Sequence, residues 1–280
     1  NHNGLKLKFN ENLTLIVGPN GVGKTNILES INLLSTGKSQ RSKYDVDLIN
    51  YDKQFSMVAA KVQNSQDGTL LEMQIIKEGA TEHTSTKKVK INKVAKTLHH
   101  FCGLFNSVLF MPEDIQIITG APSERRKYMD AILVQVDSGY KRNLNTYIKI
   151  VRQRNKILEK ICKERRGWDE IEYWTDQLLR SGKIIQEKRQ EMFEIIQGYL
   201  ENNSKILNNK DTEVLIKYKK NDLNRERLEK YRDREIASKT TLIGPHRDDF
   251  EVMFNGHSVA EFGSRGQQRS VILALKLSEI

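Results

Sequence analysis

The sequence predicts an α/β nucleotide-binding fold, a mixed sheet with helices, interrupted by an inserted α-helical lobe. Three observations predict it. An apolar strand-like run, Leu13-Thr14-Leu15-Ile16-Val17, leads into Gly18-Pro19-Asn20-Gly21-Val22-Gly23-Lys24-Thr25, which fits the phosphate-loop pattern G-x-x-x-x-G-K-[ST] in full. Short apolar runs of period two dominate to about residue 110, and from Pro122 the apolar period becomes that of a helix. From Val214 the strand-like runs return, so the helical part lies inside the sheet domain. The expected boundaries are 1–112 for the first part of the sheet lobe, 113–210 for the helical arm and 211–280 for the return segment.

The elements follow in order. Residues 5–9 and 13–17 read as strands, and 26–34 as the helix behind the phosphate loop. Residues 55–62 and 70–76 alternate with period two around the turn-like Asn64-Ser65-Gln66-Asp67-Gly68, a hairpin, and 89–91 adds another strand. Val108-Leu109-Phe110 reads as a buried strand, with Met111-Pro112-Glu113-Asp114 at its carboxyl end, the edge where open α/β sheets bind ligands. Pro122 suits the first position of a helix that continues through 128–136. A longer helix is expected over 139–166, with Tyr140, Leu144, Tyr147, Val151 and Leu158 on one face and Arg142, Lys149, Arg152, Lys156, Lys160 and Lys163 on the other. Gly167 breaks it, and a second helix resumes near Trp168 to complete an antiparallel hairpin. Beyond Asn202-Asn203, the polar stretch Asn208-Asn209-Lys210 marks a boundary. Strands at 214–216, 240–243 and 250–254 and a charged helix at 223–236 then lead to a helix over 271–277.

Composition narrows the function. The 280 residues are 38% hydrophobic and 29% charged, and no apolar run approaches the ~20 residues of a membrane span. The first residues lack the apolar stretch of a signal peptide, so a cytoplasmic protein without a membrane partner is expected. Cys102 and Cys162 are far apart and the six histidines are scattered, His99-His100 reading as a surface pair, so neither a disulfide framework nor a zinc site is suggested. Forty-six basic residues against 36 acidic ones give a net charge of +10, which points to a polyanionic partner. Ten basic and two acidic residues fall between Lys141 and Arg166, so the excess is concentrated on the predicted helix. That stripe is a candidate nucleic-acid contact or a solvated helix face.

The motifs carry the chemistry. In a phosphate loop, glycines let consecutive N–H groups curl around phosphates, Lys24 reaches the β/γ-phosphates and the Thr25 hydroxyl ligates Mg²⁺. The candidate nucleotide contacts are Gly18, Pro19, Asn20, Gly21, Val22, Gly23, Lys24, Thr25 and Asn26. Near the end, Ser264-Arg265-Gly266-Gln267-Gln268-Arg269-Ser270 precedes a helix. This resembles the signature motif of ABC-type ATPases, in which Ser264, Gly266, Gln267 and Gln268 would face the γ-phosphate of a nucleotide held by a second subunit. A polar helix cap is the alternative. A helix start offers free N–H groups and a positive dipole to a phosphate.

With residues 18–26, 109–114, Glu124-Arg125-Arg126 with Asp130, Gln153-Arg154-Asn155, Gly244-Pro245-His246-Arg247-Asp248-Asp249 and 264–269, the chain resembles the RecF family of the RecF/SMC superfamily. Only 240 residues separate Lys24 from Ser264, too few for the long coiled coils of SMC proteins. The resemblance implies a P-loop ABC-type ATPase head with an inserted α-helical lobe, and ATP and Mg²⁺ as cofactors. It implies an ATP-dependent homodimer that binds double-stranded DNA and single-strand/double-strand junctions. It further implies action with RecR and RecO to direct RecA in replication, recombinational repair and the SOS response, with slow DNA-stimulated hydrolysis. The other readings are a non-enzymatic DNA-binding adaptor with a vestigial nucleotide site, and an SMC-like ATPase head.

The family pattern is incomplete in this stretch. An acidic Walker B pair would follow the signature helix, and the sequence ends inside that helix. Ala131-Ile132-Leu133-Val134-Gln135-Val136-Asp137 precedes it and lies in a helical segment. The opening strand pair is abbreviated as well, so a fragment of a longer protein is expected. The glutamine that the superfamily places after the strand preceding the helical lobe is replaced by Met111-Pro112-Glu113. Glu113 or Asp114 is a candidate substitute, and His246 a candidate to approach the γ-phosphate or to hold a strand turn; no other catalytic residue is identified.

Overall fold

In the computed structural model, residues 4–10, 12–42, 44–63, 68–79, 83–207 and 212–280 are described, and the chain divides into two compact units, Asn1–Leu109 and Phe110–Ile280. The expected helical arm and return segment both lie in the second unit.

In the first unit, helix α1 (Lys24–Thr36) precedes a four-stranded antiparallel sheet of β1 (Phe55–Gln63), β2 (Gly68–Lys77), β3 (Ser85–Ile91) and β4 (Val94–Lys96), in that order, and a short helix α2 (Leu98–Phe101). The period-two reading matches the pairing. Val58 lies opposite Met73 and Met73 opposite Val89, so alternate residues Leu71, Met73 and Ile75 of the central strand turn to one face. There they bury against Leu33 and Leu34 of α1 and Phe101 of α2, each fully buried side chain contributing about 1.5–3 kcal/mol. The predicted turn at 64–67 and the boundary asparagines at 208–209 with Lys210 lie outside the described residues, as do residues 1–3. Strand β4 was not anticipated. It follows a two-residue turn, Asn92-Lys93, both at positive φ (48° and 68°), the geometry of a tight hairpin that a sequence without glycine does not announce.

Three expected strands are not strands. The runs 5–9 and 13–17 form no ladder among the described residues; Leu5, Leu7 and Phe9 are about half exposed, and Leu13, Leu15 and Val17 about 80% exposed. Residues 108–110 are likewise unpaired, with Val108 and Phe110 exposed rather than buried. High strand propensity reflects how a side chain fits a pleated surface, and without a neighbouring strand the extended run has no partner for its N–H and C=O groups.

The second unit is mostly helical: α3 (Gln116–Thr119), α4 (Pro122–Val136), α5 (Ser138–Glu164), α6 (Trp168–Leu207), α7 (Arg225–Ser238), α8 (Val259–Phe262) and α9 (Arg265–Leu277). Strands β5 (Val214–Lys219), β6 (Asp249–Phe254) and β7 (His257–Ser258) form a small antiparallel sheet. Asp137 caps α5 by accepting the Tyr140 N–H at 2.8 Å. Arg165 then ends it in the left-handed conformation (φ 57°), and Gly167 (φ 103°) turns the chain into α6. With only residues 165–167 between them, the two helices return antiparallel and share a core of Tyr140, Tyr147, Ile150, Leu178 and Ile185. Helix α6 runs past Asn202-Asn203 to Leu207. Its last turns bury Leu200 and Ser204, and Asn203 bonds Ser278 at 3.0 Å.

The strand expected at 240–243 is also absent. The Thr241 N–H donates to Asn155 Oδ1 (2.8 Å) and the Leu242 N–H to Glu235 Oε1 (2.7 Å), so side chains take the hydrogen bonds that a ladder would need.

Candidate functional site

The phosphate loop has the conformation its glycines permit. Gly21 and Gly23 have φ of 84° and 96°, a region that costs side-chain-bearing residues about 1–2 kcal/mol, and Gly23 hands the chain to α1 with no side chain capping that end. Lys24 folds back over the loop, its Nζ donating to the carbonyl oxygens of Gly18 and Pro19, both at 2.6 Å. Thr25 stands exposed in the first turn, and its hydroxyl has no hydrogen-bond partner among the described residues. A cation at the loop, a helix start and an unengaged hydroxyl beside it are the donor set that a nucleotide triphosphate with Mg²⁺ requires. Asn26 follows in α1, its carbonyl accepting the Ser30 hydroxyl at 2.7 Å.

The serine-glycine motif forms the start of α9. Ser264 Oγ accepts the Gln267 N–H (3.2 Å) and Gln267 Oε1 accepts the Ser264 N–H (2.8 Å), a reciprocal capping box. Gln268 is tied back to the Val259 carbonyl at 3.2 Å. Ser264, Arg265 and Gly266 are exposed, and a side chain at Gly266 would meet nothing closer than Ser264 Oγ at 3.9 Å. These hydrogen bonds fit the polar-cap reading, and the exposed Ser264 and Gly266 leave this helix start open to solvent.

The Gly244-to-Asp249 segment is the centre of a buried polar network. Asp248 is fully buried: its Oδ1 accepts from Gln186 Nε2 and the Asn221 N–H, both at 2.8 Å, and its Oδ2 accepts from Arg189 (3.0 Å) and the Tyr218 hydroxyl. Arg189, 2% exposed, also donates to the Pro245 carbonyl (2.7 Å) and Asp130 (2.8 Å). Burial alone would lower the Arg189 pKa, but Asp130, Tyr140 and Asp248 raise it, so the guanidinium stays charged. Arg126 binds the Asp248 carbonyl at 3.0 Å, and Arg125 grips both carboxylate oxygens of Asp249 at 2.5 and 3.0 Å. Arg154 of the Gln-Arg-Asn motif pairs with Glu235 (2.7 Å) and binds Thr241 Oγ1 (3.0 Å), all three buried. These motifs hold α4, α5, α6 and the return segment together.

His246 belongs to that network. Its Nε2 faces the Thr241 carbonyl at 2.8 Å and must be the donor, so Nδ1 accepts from the Tyr147 hydroxyl at 2.7 Å. A Cβ at Gly244 would stand 2.6 Å from that hydroxyl, which is why the turn takes glycine (φ 128°). Both ring nitrogens are engaged within the protein, the arrangement of a histidine that holds a turn. Burial, aided by Arg247 and Arg126, pushes its pKa down to about 4. A histidine with a depressed folded pKa contributes stability above its unfolded value of 6.5, and that stability is lost as pH falls towards 4. Between pH 7 and pH 5 the unfolding free energy should drop by about 2 kcal/mol more in the wild type than in a His246→Gln variant; urea titrations of both proteins would show parallel slopes if the histidine is not buried neutral.

The other candidates separate. Glu113 is exposed at the start of the 3₁₀ turn Pro112–Ile115. Asp114 caps that turn by accepting the Met111 N–H at 2.7 Å, and burial raises its pKa despite Lys276 nearby. On α5, Arg142, Lys149, Arg152 and Lys156 are exposed and form no ion pair among the described residues, whereas Lys160 pairs with Glu170 (2.7 Å) and Lys163 with Glu159 (2.6 Å). Sequence reasoning missed Arg189, Gln186, Tyr218 and Glu235. The available signal was a charge at a core-facing position: Arg189 shares the spacing of Ile185, Phe193 and Ile196, and Arg154 that of Ile150 and Leu158. Among the described residues no three His, Cys, Asp or Glu side chains converge as a metal cage, and no helix is long and apolar enough to cross a membrane.

Residues 1–279 match the RecF/RecN/SMC N-terminal domain family. Relatives named DNA replication and repair protein RecF, from Bacillus cereus (strain G9842) and Bacillus thuringiensis (strain Al Hakam), are each 34% identical along the whole chain, which covers 77% of their length. Among solved structures, the recombination mediator protein RecF-ATPrS in the RecFOR pathway superposes with a TM-score of 0.88 at 32% identity, covering 98% of this chain and 76% of that one. The corresponding RecF-ATP structure gives 0.87 at 32% identity, with 98% and 75% covered.

Proposed function

Because the chain belongs to the RecF family and has its P-loop ABC-type ATPase fold with an α-helical lobe, we propose that it is an ATP-responsive DNA-binding protein of the RecFOR repair pathway. The observation that carries this reading is the phosphate loop, where Lys24 folds over a helix start that no side chain caps. Bound nucleotide supplies negative charge; Lys24 moves from the Gly18 and Pro19 carbonyls to the β/γ-phosphates and Thr25 holds Mg²⁺ together with phosphate oxygens. In a second copy the exposed Ser264 and Gly266 at the start of α9 meet the γ-phosphate, so ATP favours a homodimer. The switch, rather than turnover, is the role assigned to the site. The cellular setting is the cytoplasm, with RecR and RecO as partners in directing RecA.

Double-stranded DNA is assigned to the exposed cations of α5. Lysine and arginine contacts to phosphates release counterions and set a salt-dependent, sequence-independent affinity. Reversing Lys149, Arg152 and Lys156 to glutamate should weaken duplex binding at least tenfold and reduce the slope of log K against log salt by about 3. Fluorescence anisotropy at several salt concentrations measures both, and an unchanged slope removes α5 as the DNA face.

A further inference from the structure

The buried network around the Gly244-to-Asp249 turn leaves two arginines over. Arg125, Arg126, Arg189 and Arg247 stand there with the carboxylates Asp130, Asp248 and Asp249. Every carboxylate is taken: Arg125 holds Asp249, and Arg189 holds both Asp130 and Asp248. Arg126 and Arg247 form no ion pair among the described residues. His246 is neutral at physiological pH, so the turn carries surplus positive charge on these two side chains.

Backbone carbonyls, not acids, hold them. Arg126, half-buried on α4, donates from Nη1 to the Asp248 carbonyl at 3.0 Å, and its Nε and Nη2 bond nothing among the described residues. Arg247 is exposed, with only a 3.5 Å contact from Nη2 to the Thr241 carbonyl. Burial pushes the Arg126 pKa down, and Arg189 and Arg247 add to that push while Asp249 and Asp248 oppose it. A partly buried cation without a counterion is costly, and an anion relieves the cost. The guanidinium fork matches a pair of phosphate oxygens.

The turn abuts the basic helix. Tyr147 and Asn155 of α5 bond His246 and the Thr241 N–H, so Arg247 stands beside the two turns of α5 that carry Lys149 and Arg152. Arg152 precedes Asn155 by three residues and lies about 60° further round toward solvent. Arg152 and Arg247 thus flank the Asn155–Thr241 contact, and Arg126 extends the row across the Asp248 carbonyl onto α4.

We propose that Arg126 and Arg247 form a phosphate-binding locus that continues the α5 stripe and receives backbone phosphates of duplex DNA, which rests on the reading of α5 as the DNA face. A nucleotide presents the same oxygens, but a row of cations running from α4 across the turn to α5 fits a polymer of phosphates.

Anisotropy of a labelled duplex at several salt concentrations, with ATP and Mg²⁺ present, tests it. Arg247→Gln should raise the Kd about tenfold at fixed salt and reduce the slope of log K against log salt by about 1, alike for unrelated duplex sequences. Adding Arg126→Gln should reduce the slope by about 1 more. Arg247→Lys, which keeps the charge but not the fork, should keep the slope and recover part of the affinity. The melting temperature of Arg247→Gln and its Kd for ATP should match the wild type, because the exposed side chain makes one contact at the limit of a hydrogen bond. Unchanged duplex affinity and slope in Arg247→Gln overturn the proposal, and the reversal of Lys149, Arg152 and Lys156 judges the α5 reading separately. If only that reversal weakens binding, the turn alone is excluded; if neither variant does, both readings fail. If only Arg247→Gln weakens it, α5 is not the DNA face and the continuous row is overturned. Weaker ATP binding by Arg247→Gln with an unchanged duplex slope assigns the phosphate to a nucleotide and overturns the proposal too.

Discussion

Asp248→Asn lowers the unfolding free energy by about 3–5 kcal/mol, the range for breaking a buried ion pair. The carboxylate accepts four hydrogen bonds, two on each oxygen, from Gln186, the Asn221 N–H, Arg189 and Tyr218. Every partner is a donor. An asparagine amide, in either orientation, aims its NH₂ group at two of them and leaves the Arg189 guanidinium with one carboxylate partner, Asp130. The tyrosine does not yield a proton to help, because burial and the neighbouring carboxylate raise its pKa far above the usual value. Trp168 and Trp174, the only two tryptophans, both lie in the second unit, so urea unfolding followed by tryptophan fluorescence reports on the part affected. Asp249→Asn is the control: its carboxylate is partly exposed and paired with one arginine, and its loss should cost about 1 kcal/mol. Equal effects at the two positions would mean that Asp248 is not the centre of the network.

Lys24→Ala raises the dissociation constant for ATP about a hundredfold while leaving stability nearly unchanged. In the folded chain the ammonium group touches only the Gly18 and Pro19 carbonyls of its own loop, so the fold does not depend on it. Against phosphate it would form charge-assisted hydrogen bonds of about 1.5–3 kcal/mol each, and two of them correspond to the hundredfold loss. Isothermal titration with ATP and Mg²⁺ measures the affinity and a thermal melt without nucleotide measures the stability. Binding within threefold of wild type would show that the loop, not the lysine, holds the nucleotide.

How much was legible in the sequence depended on the range of the interactions. The phosphate loop and the Ser264 cap are local: the residues that make each site are consecutive, and glycine φ or a capping box expresses the pattern directly. Helices α5 and α6 were equally readable, because periodicity records which face is buried. The strands expected at 5–9, 13–17, 108–110 and 240–243 failed for a common reason. A strand is a statement about a partner, and in the last case Asn155 and Glu235 took the backbone N–H groups instead. The polar network was invisible for the same reason on a larger scale. Asp130, Arg189 and Asp248 are about 60 residues apart in sequence and meet only after α4, α5 and α6 have packed. The family motifs around them marked positions without giving their partners; for His246 the turn-holding role was one of the two readings, and its two ring nitrogens are spent on Tyr147 and Thr241.

The central claim is that nucleotide held by the phosphate loop of one copy is completed by the Ser264 motif of another. The most direct measurement mixes two inactive variants, Lys24→Ala and Ser264→Arg, and follows association with ATP and Mg²⁺ by sedimentation or energy transfer between labelled copies. Each variant alone should lack nucleotide-dependent dimers, because both of its composite sites are damaged. In the mixture, a heterodimer pairs the intact loop of the Ser264→Arg copy with the intact motif of the Lys24→Ala copy, so one complete site forms and ATP-dependent association returns. Association that never returns in the mixture, or that Ser264→Arg alone retains in full, would contradict a site shared between copies.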